Sequence, residues 1–195
     1  MKFKNVVFLG RSGAGKGTQL KLLDDYLLTR GKKTLYISIG ELLRTLAKQE
    51  SFAGRKVGSI INEGKLIHEW VAIYLWQNDI MMRLKENDAI IFFDGSPRKL
   101  HEAEALDATL EWFERKEDTV AILLDAGHEE VTGRLKARGR ADDTDHGIKS
   151  RLDWFETEVM PVVRYYESSG RLISINGVGT IEEVQTRVRT ALGVE

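Results

Sequence analysis

The segment Gly10-Arg11-Ser12-Gly13-Ala14-Gly15-Lys16-Gly17-Thr18 sets four glycines around a single lysine. Glycines let a backbone curl until successive N–H groups face one point, and a helix N-terminus at that point already favours an anion. Lys16 adds a mobile positive charge able to reach the outer phosphates of a nucleotide. A purely structural glycine turn leaves that lysine unexplained. Dinucleotide-binding spacing, G-x-G-x-x-G, fails because its third glycine would fall at Thr18. One detail departs from the commonest phosphate loop: Gly17 follows Lys16, and the hydroxyl comes one place later, at Thr18.

Further charges recur at intervals suited to a second phosphate. Arg44 follows Ser38-Ile39-Gly40-Glu41, and Arg98 closes Asp94-Gly95-Ser96-Pro97-Arg98. A guanidinium fork matches phosphate oxygens geometrically. Arg134 and Arg138 are four residues apart and so share a helix face. Arg140, Asp142, Asp143 and Arg151 complete a short basic and acidic cluster. Asp94 ends an apolar run, where a carboxylate is costly without a partner. It can cap a helix, form a structural salt bridge or hold the hydration shell of Mg²⁺, and the glycine loop on a neighbouring strand favours magnesium.

These residues need a scaffold. Apolar runs of strand length fall at Val6 to Leu9, Thr34 to Ile37, Ala89 to Phe93, Val120 to Leu124 and Leu172 to Ile175. Near-continuous apolar runs are expected of parallel strands covered on both faces. Helical spacing lies between them. Leu20, Leu23 and Leu27 mark one helix, ended by Gly31. Trp70, Ile73, Tyr74, Gln77 and Met81 mark a second, and Leu106, Leu110 and Phe113 a third. Ile148, Leu152, Phe155 and Val159 mark a fourth ahead of Pro161, and Ile181, Val184 and Val188 the last. The alternation predicts an α/β fold, a five-stranded parallel sheet with helices on both faces, whose ligands bind beyond the carboxyl ends of the strands.

The 195 residues carry 29 Lys plus Arg against 30 Asp plus Glu. A near-neutral balance gives no electrostatic case for nucleic-acid or membrane-surface binding. The absence of cysteine excludes disulfides, thiol nucleophiles and thiolate zinc sites. Met1 to Gly10 is too short for a signal peptide or a membrane span, so a cytoplasmic protein is expected. His68, His101, His128 and His146 are scattered, without metal or nucleophile spacing, and suit surface or capping roles.

Gly13-Ala14-Gly15-Lys16-Gly17-Thr18-Gln19 resembles the phosphate loop of the nucleoside monophosphate kinases, and of the adenylate kinase family in particular. The other motifs follow in that family's order along essentially the whole chain. The resemblance implies a P-loop kinase core over 1–195, an insertion binding the nucleoside monophosphate at 38–67, and a minimal lid at 138–145. It implies ATP contacts from Gly13 to Thr18, with Arg134 and Gly179 near the ATP base. It assigns Ile39, Gly40, Arg44, Leu66, Gly95, Arg98, Glu102, Arg140 and Arg151 to the monophosphate site. Lys16, Arg138, Arg140 and Arg151 would neutralise the phosphates in transit, Asp142 and Asp143 would orient the lid arginines, and Asp94 would reach Mg²⁺ through water. ATP, ADP and AMP or another nucleoside monophosphate are the implied partners of a monomer, with Mg²⁺ as cofactor and no zinc.

Two positions depart from the family pattern. Ile39 stands where the family has threonine, and Glu102 where it has a glutamine that reads adenine. An ionised Glu102 can only accept hydrogen bonds, which complements guanine or the amine of cytosine. Alternatively Glu102 points to solvent and backbone groups around Leu66 and Ile67 read the base, the reading preferred because the rest of the chain matches adenylate kinase. Gly139 alone separates Arg138 from Arg140, so the lid is short, and some ATP hydrolysis without acceptor is expected. The rivals are a kinase for GMP, CMP or UMP, a small-metabolite kinase of the same fold, and a non-catalytic nucleotide sensor. The metabolite kinase has no need of the Arg44 and Arg98 pair, and the sensor would lack a catalytic charge.

Overall fold

The computed structural model describes residues 2–140 and 143–194. Strands and helices alternate. β1 (Asn5–Leu9) leads to α1 (Lys16–Leu28) and β2 (Thr34–Ser38), then to α2 (Ile39–Ala47), α3 (Phe52–Asn62) and α4 (Glu69–Arg83). β3 (Ile90–Asp94), α5 (Leu100–Trp112), β4 (Thr119–Asp125) and α6 (His128–Arg138) follow. α7 (Asp145–Trp154), α8 (Met160–Ser168), β5 (Leu172–Asn176) and α9 (Ile181–Leu192) complete the chain. The strands form one parallel sheet in the order β2-β3-β1-β4-β5, as expected. β1 pairs with β3 on one side and β4 on the other, so the strand order reverses there, where open sheets hold ligands.

Alternate β1 residues serve opposite cores. Val6 and Phe8 face α1, α6 and α9 through Leu20, Leu23, Val131 and Val188. Val7 and Leu9 face α4, α5 and α8 through Trp76, Leu106, Leu110 and Val162. Each such fully buried side chain contributes about 1.5–3 kcal/mol relative to exposure. Away from the site, at the opposite end of β1, the buried Arg115 guanidinium donates to Asn5 Oδ1 (2.9 Å), Asn87 Oδ1 (2.8 Å) and the Lys4 carbonyl (2.9 Å).

Two helices differ from the sequence reading. α4 forms where expected but buries Ala72, Trp76 and Ile80, while Trp70, Tyr74 and Met81 are 63%, 60% and 69% exposed. Apolar residues lie on both sides of this helix. The indole of Trp76 meets the Phe93 ring edge-on at 6.5 Å, and that packing selects the buried side. The fourth helix does not stop ahead of Pro161. α7 passes through a π-helical stretch, Phe155–Val159, into α8, whose first turn holds Pro161. The Met160 N–H donates to the Phe155 carbonyl, so the helix is continuous there, and Pro161, with no N–H to donate, removes one bond of the ladder beside the π-helical widening.

Candidate active site

The carboxyl ends of β1, β2 and β3 open into a cleft of about 1410 Å³. That exceeds the range of roughly 300–1,000 Å³ usual for a single small ligand. The β1–α1 loop forms its floor. Gly15, at φ 95°, is the N-cap of α1, a left-handed conformation that a side chain disfavours. Lys16 Nζ donates to the Gly10 carbonyl (2.7 Å) and the Arg11 carbonyl (3.0 Å). Burial lowers its pKa to about 8, with Arg98 and Arg138 acting in the same direction and Asp94 opposing. A β-carbon at Gly17 would stand 3.1 Å from Asp94 Oδ2, so glycine here lets the β3 carboxylate close on the loop. Thr18, which carries the hydroxyl, also lines the cleft.

Asp94 Oδ2 accepts the Tyr36 hydroxyl at 2.7 Å. Burial and the Asp94 charge push that phenol far above its ordinary range, so it remains a donor. The cap of α5 is Lys99, not Asp94, and among the described residues Asp94 forms no salt bridge, its carboxylate being partnered by the Tyr36 hydroxyl. No cluster of three candidate metal ligands occurs among the described residues. One carboxylate beside a phosphate loop nevertheless suits Mg²⁺, which keeps most of its waters and is shared with substrate phosphates.

Across the cleft, α2 starts from Ser38, whose hydroxyl accepts the Glu41 N–H. Arg44, one turn on, folds back over Gly40, and Arg98 lies against Gly95. Gly40, Arg44, Gly95 and Arg98 line the cleft, whereas Ile39, Leu66 and Glu102 do not. Ile39 is 2% exposed and packs against Gly95, so its side chain serves the core. Glu102 does not point to solvent. It is 3% exposed, and its Oε2 accepts the Ser96 hydroxyl (2.9 Å) and the Arg98 N–H (3.0 Å). Burial raises its pKa against the pull of those bonds and of Arg98. The carboxylate thus braces the loop that carries Arg98.

The third wall comes from α6, α7 and the turn between them. Arg134 spans from the Ala14 carbonyl (3.5 Å) to the Gly177 carbonyl (3.2 Å), beside Gly179. Asp143 collects the side chains of Arg138 and Arg151 and the main chain of Arg140. Arg138 Nε and Nη2 donate to it at 2.8 and 2.7 Å, Arg151 Nη2 at 2.7 Å and the Arg140 N–H at 3.1 Å. Burial opposes the charge on Asp143, yet bonds from Arg138, Arg151 and the Arg140 N–H hold its carboxyl well below the usual range. Arg140 also faces the cleft. Asp142 lies outside the described residues. The four histidines are exposed.

Sequence reasoning missed several cleft residues, Tyr36 and Trp154 among them. Tyr36 carried a signal, a hydroxyl inside an apolar strand opposite Asp94. Trp154 carried none. Its Nε1 donates to the Gly64 carbonyl (3.4 Å) and its ring lies 5.3 Å from the Arg98 guanidinium, joining α7 to the segment after α3.

Known proteins bear directly on this arrangement. The family model described as adenylate kinase matches residues 8–171. The adenylate kinase of Phenylobacterium zucineum is 36% identical over 193 residues, covering 96% of this chain and 97% of that protein. That of Thermus thermophilus is 35% identical over 193 residues, covering 97% of each, and that of Prochlorococcus marinus is 33% identical over 189 residues, again 97% of each. The phosphate loop, both candidate acceptor arginines and the lid cluster all fall within the matched span, and the chain belongs to the adenylate kinase family.

Proposed function

We propose that this chain transfers the γ-phosphoryl group of Mg·ATP reversibly to AMP, giving two ADP. One observation carries the reading: Lys16, Asp94, Arg98, Arg138 and Arg151, from separate elements, all line a single cleft. In the forward step an AMP phosphate oxygen attacks the γ-phosphorus and the bond to the ADP leaving oxygen breaks. The nucleophile is already anionic near neutral pH, so no general base is needed. Phosphoryl transfer asks chiefly for alignment and charge neutralisation.

In this reading Gly13 to Thr18 cradle the donor phosphates, and Lys16 leaves the Gly10 and Arg11 carbonyls to reach them. Arg134 and Gly179 flank the ATP base. Arg44 and Arg98 grip the acceptor phosphate, and Arg138, Arg140 and Arg151 neutralise the group in flight. Residues 38–67 form the acceptor-binding insertion and 138–145 the lid, with Asp143 as its pivot. Bound Mg²⁺ supplies further charge neutralisation, and Asp94 is the residue to hold it through water. Because Ile39, Leu66 and Glu102 do not line the cleft, base choice rests on the neighbouring groups that do, at Ile61, Asn62, Gly64 and Lys65. A monomeric unit and a cytoplasmic location belong to the same reading. No described helix is long and apolar enough to cross a membrane.

ADP formation from Mg·ATP, measured separately with AMP, GMP, CMP, UMP and no acceptor, tests this. Strong preference for AMP is expected, with slow hydrolysis in the acceptor-free arm. Preference for GMP or CMP would overturn the acceptor assignment, and inactivity with all of them the enzymatic reading.

A further inference from the structure

Arg11 belongs to the phosphate loop, yet its side chain leaves the cleft. Its Nη2 pairs with Glu156 Oε1 at 2.6 Å, and its Nη1 reaches Asp125 Oδ1 (3.4 Å) and the Ala126 carbonyl (3.5 Å). The guanidinium lies 4.6 Å from the centre of the buried Phe155 ring. At its other end, the Arg11 carbonyl accepts Lys16 Nζ at 3.0 Å and the Ala14 N–H at 3.1 Å. One residue therefore ties into the loop backbone through the Ala14 N–H, a bond that remains when Lys16 turns to the phosphates, and reaches, through its side chain, the π-helical stretch that starts four residues beyond Arg151. Single π turns within longer helices occur frequently at functional sites. A half-exposed ion pair alone holds little. Stacking over a buried ring fixes the direction of the guanidinium and turns the pair into a defined strut.

We infer that Arg11 is a positioning residue that locks the phosphate loop to α7, fixing the separation of Lys16 and Arg151. The inference rests on the catalytic roles proposed above for those two residues. Misplacing a charge by an ångström in such a site costs up to about a hundredfold in rate. The test measures kcat, KM for ATP and AMP, and melting temperature for Arg11→Met, Arg11→Lys and Glu156→Gln. Arg11→Met is also combined with Arg151→Lys. Arg11→Met is expected to lower kcat about tenfold with both KM values within about twofold, and Arg11→Lys to recover part of the loss. Glu156→Gln, at an exposed position, removes the charge at the other end of the strut while keeping an oxygen for Arg11, and should lower kcat by up to about threefold. In the Arg151→Lys background, Arg11→Met should add less than about twofold. Unchanged kcat in both Arg11→Met and Glu156→Gln, or a full-sized Arg11→Met effect on top of Arg151→Lys, overturns the coupling. Full turnover in Arg151→Lys alone instead overturns the role given to Arg151, and the coupling with it.

Discussion

Replacing Asp143 by asparagine changes one oxygen to an amide at the centre of the Arg138, Arg140 and Arg151 cluster. In the best orientation the remaining oxygen keeps the Oδ1 contacts to Arg138 Nη2 and Arg151 Nη2, each 2.7 Å. The new amide then faces Arg138 Nε and the Arg140 N–H, which in the parent donate to Oδ2 at 2.8 and 3.1 Å. Both are donors, so two bonds are lost, and the reversed amide orientation loses the other two. A hydrogen bond to a charged group contributes about 1.5–3 kcal/mol and a neutral one about 1. Arg138 is one-third exposed and recovers part of this from water, leaving about 1.4–3 kcal/mol. If the arginines act in the transition state, kcat falls tenfold to about a hundredfold. Steady-state ADP formation at saturating ATP and AMP measures it. The carboxyl is held below its ordinary pKa of 3.8, so its stabilisation is fully present above that pH and lost as pH falls below it. The difference in melting temperature between parent and Asp143→Asn should therefore be present at pH 7 and shrink in acid. A kcat within twofold of the parent, with the protein folded, refutes the pivot role.

Two further perturbations follow from the site. Lys16, with its pKa near 8 in the free protein, must be charged to meet phosphate, so nucleotide binding takes up a proton around and above that pH. ATP affinity should weaken as pH rises past 8, and calorimetry in buffers of different ionisation enthalpy should detect the uptake; Lys16→Met abolishes turnover and removes the dependence, whereas pH-independent binding between 7 and 9.5 contradicts it. Glu102→Gln keeps an oxygen for both Ser96 and Arg98, since these share Oε2, while removing a buried charge. Its folded-state pKa is raised, so Glu102 costs stability as pH rises through that value. The variant should gain in melting temperature relative to the parent between pH 5 and 8, and a pH-independent loss would show that the carboxylate itself is required.

The phosphate loop, the five strands and the order of the arginines were legible because each is a local property. A glycine–lysine run between a strand and a helix declares its chemistry within ten residues, and an apolar run of five declares a parallel strand wherever its partners lie. Asp143 could be placed with the lid arginines because it is close to them in sequence. Other choices were settled by contacts between distant segments. Trp76 rather than Trp70 faces the core because Phe93 stands opposite it. Arg115 is buried because Asn5, 110 residues away, offers its side-chain oxygen. Tyr36 meets Asp94 across a 58-residue gap, and Arg11 meets Glu156 across 145. Glu102, read alone, could face the base or water, and the Ser96 hydroxyl with the Arg98 N–H drew it inward. Periodicity and motif spacing thus marked the five strands, several of the helices and the glycine–lysine loop between β1 and α1. Packing alone decided the direction of each amphipathic or charged side chain, because that depends on which partner satisfies it, and the partner is brought near only by the completed fold.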